Sequence, residues 1–215
     1  MELLKSSILI LSALLPIVNP LGGSPIFLSL TQGYSSGDRK LLSTRIAFNC
    51  FVLLMASFVV GSHVLAFFGV SLPIVQVGGG LIVLASGWAL LNNREEEVRG
   101  EVRESADRQK ILRHAFYPLT LPLTVGPGSI SVAITLGAGA PRPGGGRLLV
   151  ALAAALIASF LVALTVFLCY GFADRMAALL GPAAVSVILR LSAFLLLCIG
   201  LQIMWNGLSA LLRGG

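Results

Sequence analysis

The segment LLPIVNPLGGSPIFLSLT, residues 14–31, is apolar enough to lie in a membrane, yet it contains three prolines, two glycines and one asparagine. A proline inside a helix removes one backbone hydrogen bond and clashes with the preceding turn. In lipid, an unpaired backbone group is costly, so irregular backbone persists only where it is buried in protein or lines a wet cavity. The segment therefore predicts an interrupted membrane helix, with irregular backbone from Pro16 to Pro25.

A second apolar segment, FYPLTLPLTVGPGSIS at residues 116–131, predicts a similar interruption from Pro122 to Ser129. The helix after such a break begins with unpaired amides and the positive end of its dipole, which attract an anion such as a carboxylate. Simple proline kinks are the alternative. We predict ligand-binding residues at both breaks: Asn19, Pro20, Gly22, Gly23 and Ser24 in the first, and Thr124, Gly126, Pro127, Gly128 and Ser129 in the second.

The composition excludes a water-soluble domain. Of 215 residues, 56% are apolar and only 11% are charged, with a mean hydropathy of +0.94, whereas soluble domains carry about a quarter charged residues. The net charge of +6 comes from scattered or acid-paired basic residues, so nucleic acid is not an expected partner. The cysteines and histidines lack metal-ligand or redox spacing. No metal, cofactor or catalytic set is expected, and an enzyme is not predicted.

Six stretches reach the length of about 20 residues that a membrane helix needs. They run from about Ser6 to Leu30, Ile46 to Phe68, Leu72 to Leu91, Ala115 to Leu136, Leu148 to Tyr170, and Ala183 to Leu212. The predicted fold is an all-α polytopic membrane protein with six transmembrane helices, of which the first and fourth are broken.

A charged stretch from 93 to 113, with six basic and six acidic residues, divides the chain into residues 1–92 and 114–215. Each part holds three predicted spans. Shifting the first part by 106 residues aligns Leu15 and Pro16 with Leu121 and Pro122. Since three is odd, a second copy of a three-helix unit must enter the membrane from the opposite side. The sequence therefore predicts two inverted repeats, whose helix interruptions are the expected substrate site of a transporter.

The basic residues also predict an orientation. With six spans, the connections on the side of the linker 93–113 carry ten Lys and Arg, and the other side carries four. Because positive residues stay on the cytoplasmic side, we expect the linker in the cytoplasm and both termini outside it.

Few other polar residues lie within the spans. A charge within the bilayer marks function by default, but Arg190 is near enough to its helix start to snorkel to the interface, and both interpretations stay open. Gln76 is its counterpart in the first half. We predict Gln76 and Arg190 as gating or polar in-membrane residues. An interfacial belt is predicted at Gln202, Trp205 and Asn206, and close helix packing at Gly78, Gly79 and Gly80.

The two interrupted segments, together with ILRLSAFLLLCIGLQIMWNG at residues 188–207, resemble three motifs of the MarC family of bacterial integral membrane proteins. The similarity covers essentially the whole chain in order. It implies the cytoplasmic (inner) membrane and a neutral amino acid transporter, with Asn19 and the Gly126–Gly128 run as site elements. The third span departs from the family pattern, because Gln76 stands where an arginine is common, which weakens any role that needs two symmetric arginines.

The leading functional expectation is a secondary transporter or exporter of a small polar solute such as a neutral amino acid. A passive channel and a non-transporting scaffold that docks a partner through the linker are the alternatives. The expected partners are the lipid bilayer and a small-molecule substrate, and a homo-oligomer stays open.

Overall fold

The computed structural model describes residues 1–31, 34–92, 114–140 and 146–213, and these residues are helical with no strand. The helices are α1 (Glu2–Val18), α2 (Pro20–Leu30), α3 (Ser36–Phe67), α4 (Leu72–Asn92), a π-helical segment (Leu119–Thr124), α5 (Pro127–Ala138), α6 (Gly146–Gly171) and α7 (Ala173–Arg213). The predicted all-α class is therefore confirmed. The linker 93–113 lies outside the described residues.

Five helical stretches are long and apolar enough to cross a membrane, and a sixth follows if one bent pair is a single span. The five are Glu2–Leu28, Ser36–Phe67, Leu72–Asn92, Arg147–Gly171 and Ala183–Arg213. The bent pair, His114–Thr124 with Pro127–Ala138, turns by 71° between its two parts. The polytopic architecture is confirmed, and the bent pair is the predicted fourth span.

Helix α3 begins ten residues before the predicted start of its span at Ile46. Ser35 caps it, because its hydroxyl accepts a hydrogen bond from the Asp38 amide at 3.1 Å. Arg39 then forms an ion pair with Asp174 at the start of α7. A good N-cap contributes about 1 kcal/mol, so local capping extends the helix beyond the apolar stretch.

Glycines allow α4 and α7 to pack backbone to backbone. A Cβ added at Gly80 would overlap the backbone of Met204, and one at Gly200 would overlap the backbone of Leu84. Further along, Gly87 meets the backbone of Ala193 and Leu197. Contact positions rise along α4 while they fall along α7, so the helices are antiparallel. Such close approach needs small residues.

The predicted packing role of the glycine triplet holds for two of its three members. Gly80 lies against α7, and a Cβ at Gly79 would lie 2.5 Å from the Ser131 side chain of α5. Gly78 is exposed and has open space around it.

The most extensive packing joins the two halves of the chain. Apart from α4 with α7, the main helix pairs are α3 with α6, α3 with α5, α1 with α6, and α4 with α5. If the two halves are exchanged, α4–α7 and α3–α6 map onto themselves. The other three pairs map onto α2 with α6, α3 with the π-helical segment, and α2 with α7, and these contacts also occur. An inverted duplication predicts this exchange, and the repeat relation itself stays a prediction.

Three connections meet on one side of the bundle. The Tyr34 hydroxyl lies 3.1 Å from Nδ1 of His114, which starts the fourth span. Arg39, beside Tyr34, pairs with Asp174 and donates to the Tyr34 carbonyl oxygen at 3.0 Å. The residues after the first, third and fifth spans therefore share a side, as six crossings require.

Candidate functional site

The first break is a single residue. Asn19 adopts the left-handed conformation (φ 47°, ψ 59°) between α1 and α2, a region that Asn tolerates better than most residues. Its amide donates to the Leu15 carbonyl oxygen at 2.9 Å, and its side-chain Oδ1 accepts from the Gly22 amide at 3.1 Å. Asn19 thus ends one helix and caps the next. The prediction of irregular backbone from Pro16 to Pro25 is wrong outside this residue.

The prolines are accommodated because their missing donors are replaced or not needed. Pro20 is the first residue of α2, where a helix needs no amide donor. Pro25 cannot donate to the Leu21 carbonyl oxygen four residues earlier, and the Ser24 hydroxyl donates to it instead at 3.2 Å. Ser24 is buried, and its hydroxyl has this local task.

The second break is wider and has a different construction. A π-helical segment runs from Leu119 to Thr124 with non-helical backbone at Leu121 (φ −107°, ψ 124°). Val125 and Gly126 are extended, and α5 starts at Pro127. The predicted irregularity from Pro122 to Ser129 is therefore correct around Val125 and Gly126 and wrong from Pro127 onward.

Two threonine hydroxyls stabilise the π-helical segment. Thr120 donates to the Ala115 carbonyl oxygen at 2.6 Å, and Thr124 donates to the Leu119 carbonyl oxygen at 2.7 Å. Both threonines are buried. Each hydroxyl reaches a carbonyl five residues earlier, so side chains supplement the backbone hydrogen bonding where the regular α-helical ladder fails. Asn49 of α3 adds a third polar group, with its Nδ2 3.3 Å from Thr120 Oγ1.

Helix α5 begins without a side-chain cap. Its N-cap is Gly126, and Pro127 has no amide hydrogen. The amides of Gly128 and Ser129 donate no hydrogen bond to any residue in the described part of the chain, whereas the Ile130 amide donates to the Gly126 carbonyl oxygen. Gly128 and Ser129 are buried. These are orphan helix N-terminal amides at the positive end of a helix dipole.

The two helix starts are therefore chemically unequal. At the first break, the Gly22 amide donates to Asn19 Oδ1 and the Gly23 amide donates to the Asn19 carbonyl oxygen. The Gly22 and Gly23 amides are therefore not free, because both already have acceptors, and their role in binding a carboxylate stays a prediction. Among the described residues of the second break, the Gly128 and Ser129 amides have no acceptor.

Tyr170, near the end of α6, contacts both breaks, although no sequence pattern predicts it as a site residue. Its hydroxyl lies 3.1 Å from Thr124 Oγ1 at the second break. A Cβ added at Gly23 of the first break would lie 2.5 Å from the same hydroxyl. The Tyr170 ring stacks on Phe27 with a centroid distance of 4.7 Å. Tyr170 is 1% exposed, so the space between the breaks is filled by a buried phenol.

The remaining predicted residues lie elsewhere. Gln76 is partly buried where Gly207 of α7 packs against it. Arg190 is exposed and forms no ion pair or hydrogen bond with the described residues, which favours the interface-anchor interpretation. Gln202 and Asn206 are exposed on α7 and bond to each other at 2.8 Å.

A small, mainly apolar cavity lies beside the first break. It is lined by Leu21, Ser24, Pro25, Ala173, Met176, Val185 and Ile188. Within the described ranges no three His, Cys, Asp or Glu side chains gather as metal ligands would.

Comparison with known proteins places these features in one family. A family model described as "MarC family integral membrane protein" matches residues 4–212. The inner membrane protein MarC of Salmonella typhimurium is 31% identical over 218 residues, covering 99% of this chain and 98% of that protein. The membrane protein YvbG of Bacillus subtilis is 30% identical over 203 residues, covering 93% and 92%. No solved structure matches. The chain is therefore a multi-pass inner membrane protein that belongs to the MarC family.

Proposed function

We propose that this protein is a secondary transporter or exporter of a small polar solute, with neutral amino acids as the first class to test. The observation that carries the proposal is the convergence of two interrupted spans on one buried tyrosine. Interrupted helices in matching places of two halves are typical of transporters, and substrates bind at the interruptions.

The second break supplies the recognition chemistry. The amides of Gly128 and Ser129 are buried and have no acceptor in the described residues, so a carboxylate there would satisfy two donors and the helix dipole together. Hydrogen bonds to a charged group contribute about 1.5–3 kcal/mol each. This supports a solute that carries a carboxylate.

The first break offers acceptors for an ammonium group. Pro20 has no amide hydrogen, so it cannot donate to the Pro16 carbonyl oxygen four residues earlier. Asn19 Oδ1 accepts one bond from Gly22 and, as an amide oxygen, has a second lone pair. An amino acid spanning the two breaks would meet donors at one end and acceptors at the other.

Tyr170 and Thr124 would lie between those ends. In this arrangement their hydroxyls hydrogen-bond to each other, and a solute that crosses from break to break must displace the phenol. The proposal therefore assigns Tyr170, Thr124 and Gly23 to the substrate path. It assigns these residues no enzymatic step.

A proteoliposome assay tests the proposal. Purified protein would be reconstituted, and uptake and counterflow of labelled neutral amino acids would be measured with and without proton and sodium gradients. We expect saturable transport of at least one carboxylate-bearing solute, reduced in Tyr170→Phe and Thr124→Val. Ser86→Ala is the matched control, because that exposed hydroxyl bonds only within its own helix.

The alternatives give different outcomes. Flux that does not saturate and ignores gradients would indicate a passive channel. Absence of any flux from correctly inserted protein would refute transport. Deleting residues 95–110 would then test a docking role, because a docking protein loses its cellular function without the charged linker, whereas a self-contained carrier keeps its activity.

A further inference from the structure

One row of side chains on α7 is exposed along the whole span. Its members follow one another at intervals of four residues, so they form a single ridge on the helix surface. The ridge comprises Arg190, Phe194, Cys198, Gln202, Asn206 and Ala210, all exposed. On the other side of α7, Ala193, Gly200 and Gly207 are buried and pack against α4. Because a row of residues four apart turns about 40° around the helix at each step, only its middle members, Cys198, Gln202 and Asn206, lie directly opposite the side that packs against α4.

The packing of α4 against α7 fixes the depth of the ridge in the membrane. Gly200 meets Gly80 and Leu84, which flank the midpoint of α4, so Gly200 lies at the depth of that midpoint. At 1.5 Å per residue, Gln202 lies about 3 Å from that depth and Asn206 about 9 Å. The hydrocarbon half-thickness is about 15 Å. Gln202, which the sequence predicts in an interfacial belt, therefore lies too deep in the membrane to reach the aqueous interface.

The amides of Gln202 and Asn206 are only partly satisfied within one chain. Gln202 Nε2 donates to Asn206 Oδ1 at 2.8 Å. Gln202 Oε1 and Asn206 Nδ2 form no hydrogen bond with the described residues, and both side chains are exposed. Unpaired polar groups are costly in hydrocarbon, and amide side chains stabilise the association of membrane helices by forming interhelical hydrogen bonds.

We infer that a second copy of this chain packs against this ridge, forming a parallel dimer about a two-fold axis along the membrane normal. Each chain offers free amide acceptors and donors, among them Gln202 Oε1 and Asn206 Nδ2, so two identical ridges are self-complementary. In such an isologous interface each residue on the axis meets its own copy. Cys198 lies one turn before Gln202, so it lies opposite Cys198 of the second copy. This inference does not depend on transport.

The chain carries its own reporter for this interface. Packed helices are about 8–10 Å apart, which brings facing Cα atoms within the range of a disulfide, about 4.4–6.8 Å. Cys198 is exposed, whereas Cys50 and Cys169 are buried. Purified protein in liposomes would be oxidised with copper phenanthroline and run on a non-reducing gel. We expect a covalent dimer that is lost in Cys198→Ser and retained in a variant lacking Cys50 and Cys169.

Three further measurements distinguish a specific dimer from random collisional cross-linking. The cross-linked fraction should persist when the liposomes are diluted with lipid, and the double variant Gln202→Leu, Asn206→Leu should weaken association by about five-fold or more. Ser86→Ala, on the exposed side of α4, should leave association unchanged. Cross-linking that falls in proportion to dilution, or that survives unchanged in the double variant, would overturn the proposal. So would single-molecule photobleaching that counts one chain per spot in the unoxidised protein.

Discussion

The contact between Gly23 and Tyr170 predicts that the substitution Gly23→Ala destabilises the protein. The added Cβ would lie 2.5 Å from the tyrosine hydroxyl oxygen and 3.3 Å from Cζ, well inside ordinary contact. The ring cannot move freely, because it stacks on Phe27 at 4.7 Å and bonds to Thr124 at 3.1 Å. Overpacking a filled core costs about 1–3 kcal/mol, so we expect a loss of that size in the free energy of unfolding.

Removing the hydroxyl should relieve the clash. Tyr170→Phe alone loses one hydrogen bond, worth about 0.5–1.5 kcal/mol, while Thr124 keeps its bond to the Leu119 carbonyl oxygen. In the double variant the closest ring atom to the new methyl is Cζ at 3.3 Å, which needs only a small shift. We therefore expect the double variant to be about as stable as Tyr170→Phe. The coupling free energy should be about 1–3 kcal/mol in a double-mutant cycle.

Denaturation of the purified protein in micelles, followed by circular dichroism, would measure all four species. Gly78→Ala is the matched control, because Gly78 has open space around it, and alanine in a helix is at least as stable as glycine. If Gly23→Ala unfolds like the wild type, or if Tyr170→Phe fails to restore the double variant, then Tyr170 does not occupy the space between the breaks.

Four further predictions test other parts of the site. Asn19→Ala should lose about 1 kcal/mol of stability with its cap, whereas Asn19→Asp should retain most of it; equal stability in thermal unfolding would contradict the capping role. Gly128→Ala should be strongly destabilised because its Cβ would overlap Val83, and adding Val83→Ala should restore stability; a variant that unfolds like the wild type without that addition would refute the contact. Reporter fusions should show cytoplasmic activity within the linker and none at the C-terminus, and the reverse pattern would overturn the orientation. Arg190→Gln should leave saturable uptake and stability unchanged, because Arg190 is exposed and unpaired among the described residues. A loss of uptake without a loss of stability would instead support the gating role.

The sequence predicted the breaks well in place and poorly in extent. Prolines and glycines within apolar runs indicate interruption, and both interruptions occur. The length of each irregular region depends on side-chain hydrogen bonds that replace missing backbone donors, and amino-acid composition does not reveal these bonds. Asn19 absorbs the first break by adopting a left-handed conformation and capping α2, and the Ser24 hydroxyl replaces the donor that Pro25 lacks. Each compensation uses one side chain at one position, so counting prolines overestimates the irregular region.

The contents of the space between the breaks could not be predicted from local pattern. Tyr170 lies far along the chain from Gly23 and Phe27, and it appears in the sequence as the aromatic end of an apolar helix. Only the packing of α6 against the first span brings it to both breaks. The glycine beside it was an available signal, because Gly23 marks a position where another group approaches the backbone closely. Which group approaches is a property of the fold.

The unequal chemistry of the two breaks narrows the hypothesis for substrate recognition. A strictly symmetric protein would offer amides at both helix starts, and two carboxylates could bind equally. Here the Gly22 amide already donates to Asn19 Oδ1, so this amide at the start of α2 has an acceptor within the chain. The start of α5, in contrast, is preceded by Gly126 and Pro127, which offer no side-chain acceptor to its free amides. In the proposed function, the anionic end of a solute would therefore bind at α5, and the first break would offer carbonyl oxygens at the end of α1. A zwitterion has one preferred direction in this arrangement, whereas a dicarboxylate would place its second negative charge against those carbonyl oxygens. On this argument dicarboxylic amino acids should compete poorly with neutral ones in the same uptake assay, and equal competition would show that the free amides do not select the ligand.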